Sequence, residues 1–128
     1  RQDGLPGLSR HYGFDFDNTN AMNAAQRYVA LGNGDVQIID AFSTDGLLKK
    51  FNLVTLEDDQ NFFPPYYAMP VMRADAAEKY PQVIPLIESL GERLTDPVMT
   101  ELNYRVDELR QDPRVVAVDF LRGQGMID

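Results

Sequence analysis

The run Phe62-Phe63-Pro64-Pro65-Tyr66-Tyr67 constrains this chain more than any other stretch. Each proline fixes φ and removes a backbone donor, so the run cannot be helical. It is expected to be extended and to continue so through Val71. It also divides the sequence into two kinds of pattern. Before it, short apolar runs alternate with helical spacing; after it, nearly every periodicity is helical. The best internal boundary therefore lies between Tyr66 and Arg73.

In the first part, Gly4 to Tyr12 reads as a helix stopped by Gly13. Phe14 and Phe16 alternate with Asp15 and Asp17, as in a half-buried strand. Asn18, Thr19 and Asn20 offer N-cap side chains for a second helix. That helix has Met22, Ala25, Tyr28 and Val29 on one face and Gly32-Asn33-Gly34 at its end. Val36 to Ala41 reads as a buried strand of a parallel sheet. Ser43, Thr44 and Asp45 then cap a short helix through Phe51, and Leu53 to Leu56 is another strand candidate. In the second part, helices are expected over Ala74 to Tyr80, from Val83 to Gly91, after Thr95 and after Asp112. Pro97 and Pro113 sit in the first turns of the last two. Val98, Met99, Leu102, Val106 and Leu109 form the apolar stripe of one of them. The fold class is thus α/β with a mostly helical C-terminal region.

Twenty acidic against twelve basic residues give a net charge of −8. That field repels phosphate backbones, which argues against nucleic acid as a partner, but it does not repel a cationic solute. There is no cysteine, hence neither a disulfide framework nor a thiolate metal site. No metal or cofactor is expected, because His11 is the single histidine and the glycines have no phosphate-loop spacing. Ser43 has no nearby base and no nucleophile elbow. Asp58 and Asp59 could be an acid–base or Ca²⁺ pair, or an ordinary solvated loop. No apolar run approaches the roughly 18 residues of a membrane span. The chain opens on Arg1-Gln2-Asp3-Gly4 rather than Met and reads as an internal fragment.

The aromatic residues are more informative. Phe42 follows the expected strand Val36–Ala41, at the end where open α/β sheets bind ligands. Tyr66 and Tyr67 lie on the rigid Pro-Pro segment. Ring faces attract an ammonium group, and a quaternary ammonium has no N–H donors to satisfy. The same rings could equally fill a core, and composition leaves both readings open.

The stretch Gly34-Asp35-Val36-Gln37-Ile38-Ile39-Asp40-Ala41-Phe42-Ser43-Thr44-Asp45-Gly46 resembles the glycine betaine/carnitine/choline-binding proteins of osmoprotectant ABC importers. So do Leu56-Glu57-Asp58-Asp59, Phe63-Pro64-Pro65-Tyr66, Lys79-Tyr80-Pro81, Leu102-Asn103-Tyr104-Arg105-Val106-Asp107, Phe120-Leu121-Arg122 with Gly125, and the opening Arg1-Gln2-Asp3-Gly4. The resemblance implies a two-lobed type II periplasmic-binding-protein fold with an aromatic cage in the cleft between lobes. It implies residues 1–66 in the second lobe and 67–128 returning to the first. It places Phe42, where relatives often have Tyr, and Tyr66 in the cage, Arg1 on a ligand carboxylate, and Thr44 and Tyr67 near the same cleft.

The implied function is capture of glycine betaine, choline, carnitine or a similar quaternary ammonium for import, with ergothioneine as the alternative; no enzymatic activity is implied. The partners would be the solute, an ABC permease, and an N-terminal half of the same protein. Exposed strand edges would favour self-association of the fragment. The location would be extracytoplasmic, free in a periplasm or held at the membrane as a lipoprotein or permease fusion.

Overall fold

The computed structural model describes residues 4–128. Among them the chain forms seven helices: α1 Leu5–Tyr12, α2 Ala24–Asn33, α3 Gly46–Lys50, α4 Ala74–Lys79, α5 Val83–Gly91, α6 Asp96–Asp107 and α7 Pro113–Gly123. Local chemistry explains most of their ends. Gly13 and Gly34 stop α1 and α2 in the left-handed region, at φ of 72° and 81°. There a Cβ would be penalised and glycine is not. Asp112 caps α7 by accepting from the backbone N–H groups of Arg114 and Val115 at 2.8 and 3.2 Å. Pro113 then occupies the first helical position, where the missing N–H costs nothing.

The cap of α2 differs from the expectation. Asn23, not Asn18, Thr19 or Asn20, accepts from the N–H of Gln26 at 2.9 Å. The inward face differs too: Tyr28 and Ala30 are buried, whereas Val29 points outward.

No described residue is in a β-strand. The stretches 14–17, 36–41 and 53–56 lie outside helices without ladder pairing, so the α/β expectation is not met among the described residues. A strand exists only by exchanging backbone hydrogen bonds with a neighbour, and an alternating or apolar pattern specifies the pleat without supplying that neighbour. The exposure of these segments agrees. Ile38, Val54 and Leu56 are 55, 87 and 79% exposed.

Among the described residues, buried apolar side chains are few: Tyr28, Ala30 and Val116. The most extensive helix–helix contact is α3 against α6, and α7 packs on α6. A Cβ built on Gly46 would lie 2.6 Å from the backbone nitrogen of Tyr104, so only glycine allows α3 this close to α6. Lys49 pairs with Glu101, and Lys50 with Glu108. Lys49 Nζ also sits 4.7 Å from the centre of the Tyr104 ring. Arg105 reaches Asp119 of α7 at 2.9 Å. Just after α3, the Phe51 ring stacks on Tyr28 of α2 with centroids 6.2 Å apart. No helix among the described residues is long and apolar enough to cross a membrane.

Candidate functional site

Residues 42–45 form a turn leading into α3, and every one of them is held. The Phe42 N–H donates to the Asp45 carboxylate at 3.2 Å, and the Asp45 N–H donates back to the Phe42 carbonyl at 3.0 Å. The Ser43 carbonyl accepts from Thr100 Oγ1 at 3.0 Å, and the Thr44 carbonyl from Asn103 Nδ2 at 2.8 Å. The same Asp45 oxygen that takes the Phe42 N–H also accepts from the Tyr28 hydroxyl at 2.5 Å. Burial of Tyr28, followed by this bond to a carboxylate, pushes its pKa well above the usual phenol value. Asp45 stands at the N-cap position of α3, yet its side chain caps no helical N–H. It folds back onto Phe42 instead.

The Phe42 ring is left 64% exposed by this arrangement. A large ring on a fully tethered turn is costly to leave in water but is well suited to meet a ligand. Thr44 is half-buried beside it, with its backbone engaged by α6. Tyr66 and Tyr67 are 65 and 82% exposed on the segment after the two prolines. Arg1, expected on a ligand carboxylate, lies outside the described residues.

The segment that carries the tyrosines starts from an ordered corner. Asp58 accepts from the Tyr12 hydroxyl at 2.5 Å and from the Phe62 and Phe63 N–H groups at 2.9 Å each. The Tyr12 bond, then the Phe63 and Phe62 amides, hold the Asp58 carboxyl below the usual range, and the same bond raises Tyr12. The Gln60 N–H donates to the Tyr12 hydroxyl at 3.2 Å, and His11 Nε2 lies 3.2 Å from the Gln60 carbonyl. His11 and Phe62 have ring centroids 5.3 Å apart, and Phe62 and Phe63 4.9 Å. Asp58 is therefore an anchor for the chain just before Pro64. A carboxyl kept ionised by three donors is poorly placed to act as a general acid. No group of three or more His, Cys, Asp or Glu side chains able to hold a metal ion occurs among the described residues.

Sequence reasoning singled out Phe42, Thr44, Tyr66 and Tyr67 but not the residues that hold them. Tyr28 was expected as a helix-face residue, Asp45 as a helix cap, and Asp58 as one of a pair. The usable signal was chemical: a buried tyrosine hydroxyl needs a partner, and a carboxylate three residues after Phe42 is within reach of its N–H.

Residues 1–123 match the family described as the substrate-binding domain of the ABC-type glycine betaine transport system. A glycine-betaine-binding protein of Pseudomonas aeruginosa is 41% identical across 100% of this chain and 42% of its own length. An ergothioneine transport permease/ergothioneine binding protein of Helicobacter pylori is 36% identical, over 98% of this chain and 23% of its own. A carnitine transport binding protein of Listeria monocytogenes is 32% identical, over 94% and 39%. A crystal structure of a glycine betaine/carnitine/choline ABC transporter superposes with a TM-score of 0.90 at 33% identity, over 100% of this chain and 47% of that one. The chain thus spans less than half the length of each of these relatives. With most of its length matched and the fold shared, the chain belongs to the family of substrate-binding domains of ABC-type glycine betaine transport systems.

Proposed function

We propose that this chain forms part of an extracytoplasmic substrate-binding protein that captures a quaternary-ammonium solute such as glycine betaine, choline or carnitine and delivers it to an ABC permease. It has no catalytic role. The observation that carries the reading is the pair of exposed rings, Phe42 and Tyr66, held on anchored segments of a chain whose family binds glycine betaine. A trimethylammonium group offers no N–H donors, so ring faces are the natural walls for it. Phenylalanine at position 42 keeps the π-face and drops the hydroxyl that a tyrosine would bring. Thr44 and Tyr67 are proposed beside the same cleft. Arg1 is proposed for the solute carboxylate, a role its bidentate fork suits.

In this reading residues 1–66 contribute to the second lobe and 67–128 return to the first. On that division the contact of α6 with α3 joins the two parts. The segments 36–41 and 53–56 then complete their strand pairing against another part of the receptor, which restores an α/β architecture. A fragment without that part buries little and would self-associate through its unpaired segments.

Titration calorimetry of the full-length protein with glycine betaine, choline, carnitine and ergothioneine tests the proposal. Micromolar or tighter binding of at least one is expected, and Phe42→Ala or Tyr66→Ala should weaken it about 2- to 30-fold, the span of a cation–π contact. Absence of binding to all four would refute it. Ergothioneine, itself a trimethylammonium betaine, is the second reading. It is favoured by the 36% identical ergothioneine binding protein, and competition against choline separates the two.

A further inference from the structure

We infer that the Phe42 ring is positioned, and the receptor's affinity thereby set, by Tyr28, Asp45 and Asn103, with Thr100 assisting, none of which serves as a cage wall. The inference rests on the reading of Phe42 as a cage wall and adds what holds that wall in place.

A ring that is 64% exposed has few packing neighbours to orient it, so its position must come from its backbone. That backbone is tied from two directions. From α2, the Tyr28 hydroxyl grips the Asp45 carboxylate, which grips the Phe42 N–H. Tyr28 is 2% exposed and stacked on Phe51, so this end is anchored in the core. From α6, Asn103 takes the Thr44 carbonyl and Thr100 the Ser43 carbonyl. Residues 100 and 103 are one helical turn apart and face the same way. The two donors are not equal. The Thr100 hydroxyl has a single hydrogen and also lies 2.9 Å from the Asp96 carbonyl of its own helix, so it divides its donation. The Asn103 amide donates to the Thr44 carbonyl at 2.8 Å with no such competitor from its own helix turn, which makes it the firmer of the α6 ties.

Loosening either tie gives the turn conformations that binding must then remove, and the entropic cost of ordering them appears as lost affinity. A single hydrogen bond of this kind corresponds to about a three- to tenfold change in an equilibrium constant.

The test is a double-mutant cycle on the full-length protein with glycine betaine as the titrated probe. Asn103→Ala should weaken binding three- to tenfold when residue 42 is phenylalanine and by less than twofold in the Phe42→Ala background. Tyr28→Phe, which keeps the buried ring and removes only the hydroxyl, should follow the same pattern. Equal losses in both backgrounds would show general damage and overturn the inference. So would unchanged affinity in Asn103→Ala and Tyr28→Phe while Phe42→Ala weakens binding. No loss on Phe42→Ala would instead sink the cage reading and take the inference with it, a result distinct from the other two.

Discussion

Gly46→Ala separates intrinsic helix preference from packing, because the two predict opposite signs. Gly46 opens α3 with a φ outside the left-handed range, so alanine is conformationally allowed. Propensity alone then promises a gain of up to about 1 kcal/mol. The packing says otherwise. The new Cβ would stand 2.6 and 2.7 Å from the nitrogen and Cα of Tyr104 and 2.9 Å from the carbonyl carbon of Asn103. All three are backbone atoms of α6, and none can swing aside as a side-chain tip would. Reaching an ordinary carbon separation of about 3.5 Å requires α3 and α6 to part by roughly 1 Å. That movement carries the bonds from Thr100 to Ser43 and Asn103 to Thr44, now 3.0 and 2.8 Å, out of hydrogen-bond range. Overpacking of about 1–3 kcal/mol and two lost bonds at about 1 kcal/mol each outweigh the propensity gain. The net expectation is destabilisation of about 2–4 kcal/mol. Gly91→Ala is the control: it too is helical, and nothing lies within 4 Å of its Cβ position. It should be neutral or stabilising by up to about 1 kcal/mol. Urea unfolding of solute-free full-length protein, followed by circular dichroism, measures both. Equal or greater stability in Gly46→Ala would refute the close α3–α6 approach.

Two further outcomes follow from the ionisable groups. Tyr28 has its pKa raised by burial and by Asp45, so the folded state favours the protonated phenol. Its contribution is complete below the unfolded tyrosine pKa of about 10 and declines as pH rises beyond it. The stability advantage over Tyr28→Phe should therefore shrink between pH 10 and 11 in thermal melts, and a constant gap across that interval would contradict the buried bond. Asp58 has its pKa lowered, chiefly by Tyr12, so its contribution is present at neutral pH and lost as pH falls below about 4 toward its depressed folded value. Asp58→Ala should speed amide exchange at Phe62 and Phe63 about tenfold at pH 7, and unchanged protection there would rule out the anchor role.

How much of this was legible in the sequence depends on the range of the interaction. Gly13, Gly34, Pro97, Asp112 and Pro113 act within one helical turn of themselves, and their helix ends fall where the residue types place them. The asparagines before α2 show the limit of such signals. Asn18, Asn20 and Asn23 are chemically equivalent caps, and residue type alone does not select Asn23, which the structure uses. The expected strands fail for a different reason. Val36–Ala41 has the composition of a buried strand, yet Ile38 is 55% exposed, because a strand's burial and pairing belong to the segments beside it.

Asp45 is the most instructive residue, since its type and position were both read correctly and its role was not. It occupies the N-cap site of α3, where an aspartate side chain usually accepts from the N–H two or three residues ahead. Here the carboxylate turns the other way because a hydroxyl seventeen residues earlier competes for it. The Tyr28 hydroxyl would be an unsatisfied donor in the core without the Asp45 carboxylate, whereas the Leu48 N–H in the first turn of α3 is already met by the Asp45 backbone carbonyl at 3.1 Å. The carboxylate therefore goes where its absence would cost most. That preference fixes the Phe42 N–H as the second donor and turns a routine capping residue into the link between the core and an exposed aromatic ring. The distinction is testable at one atom: Tyr28→Phe should free the Asp45 carboxylate to cap α3, so α3 persists while Phe42 loosens.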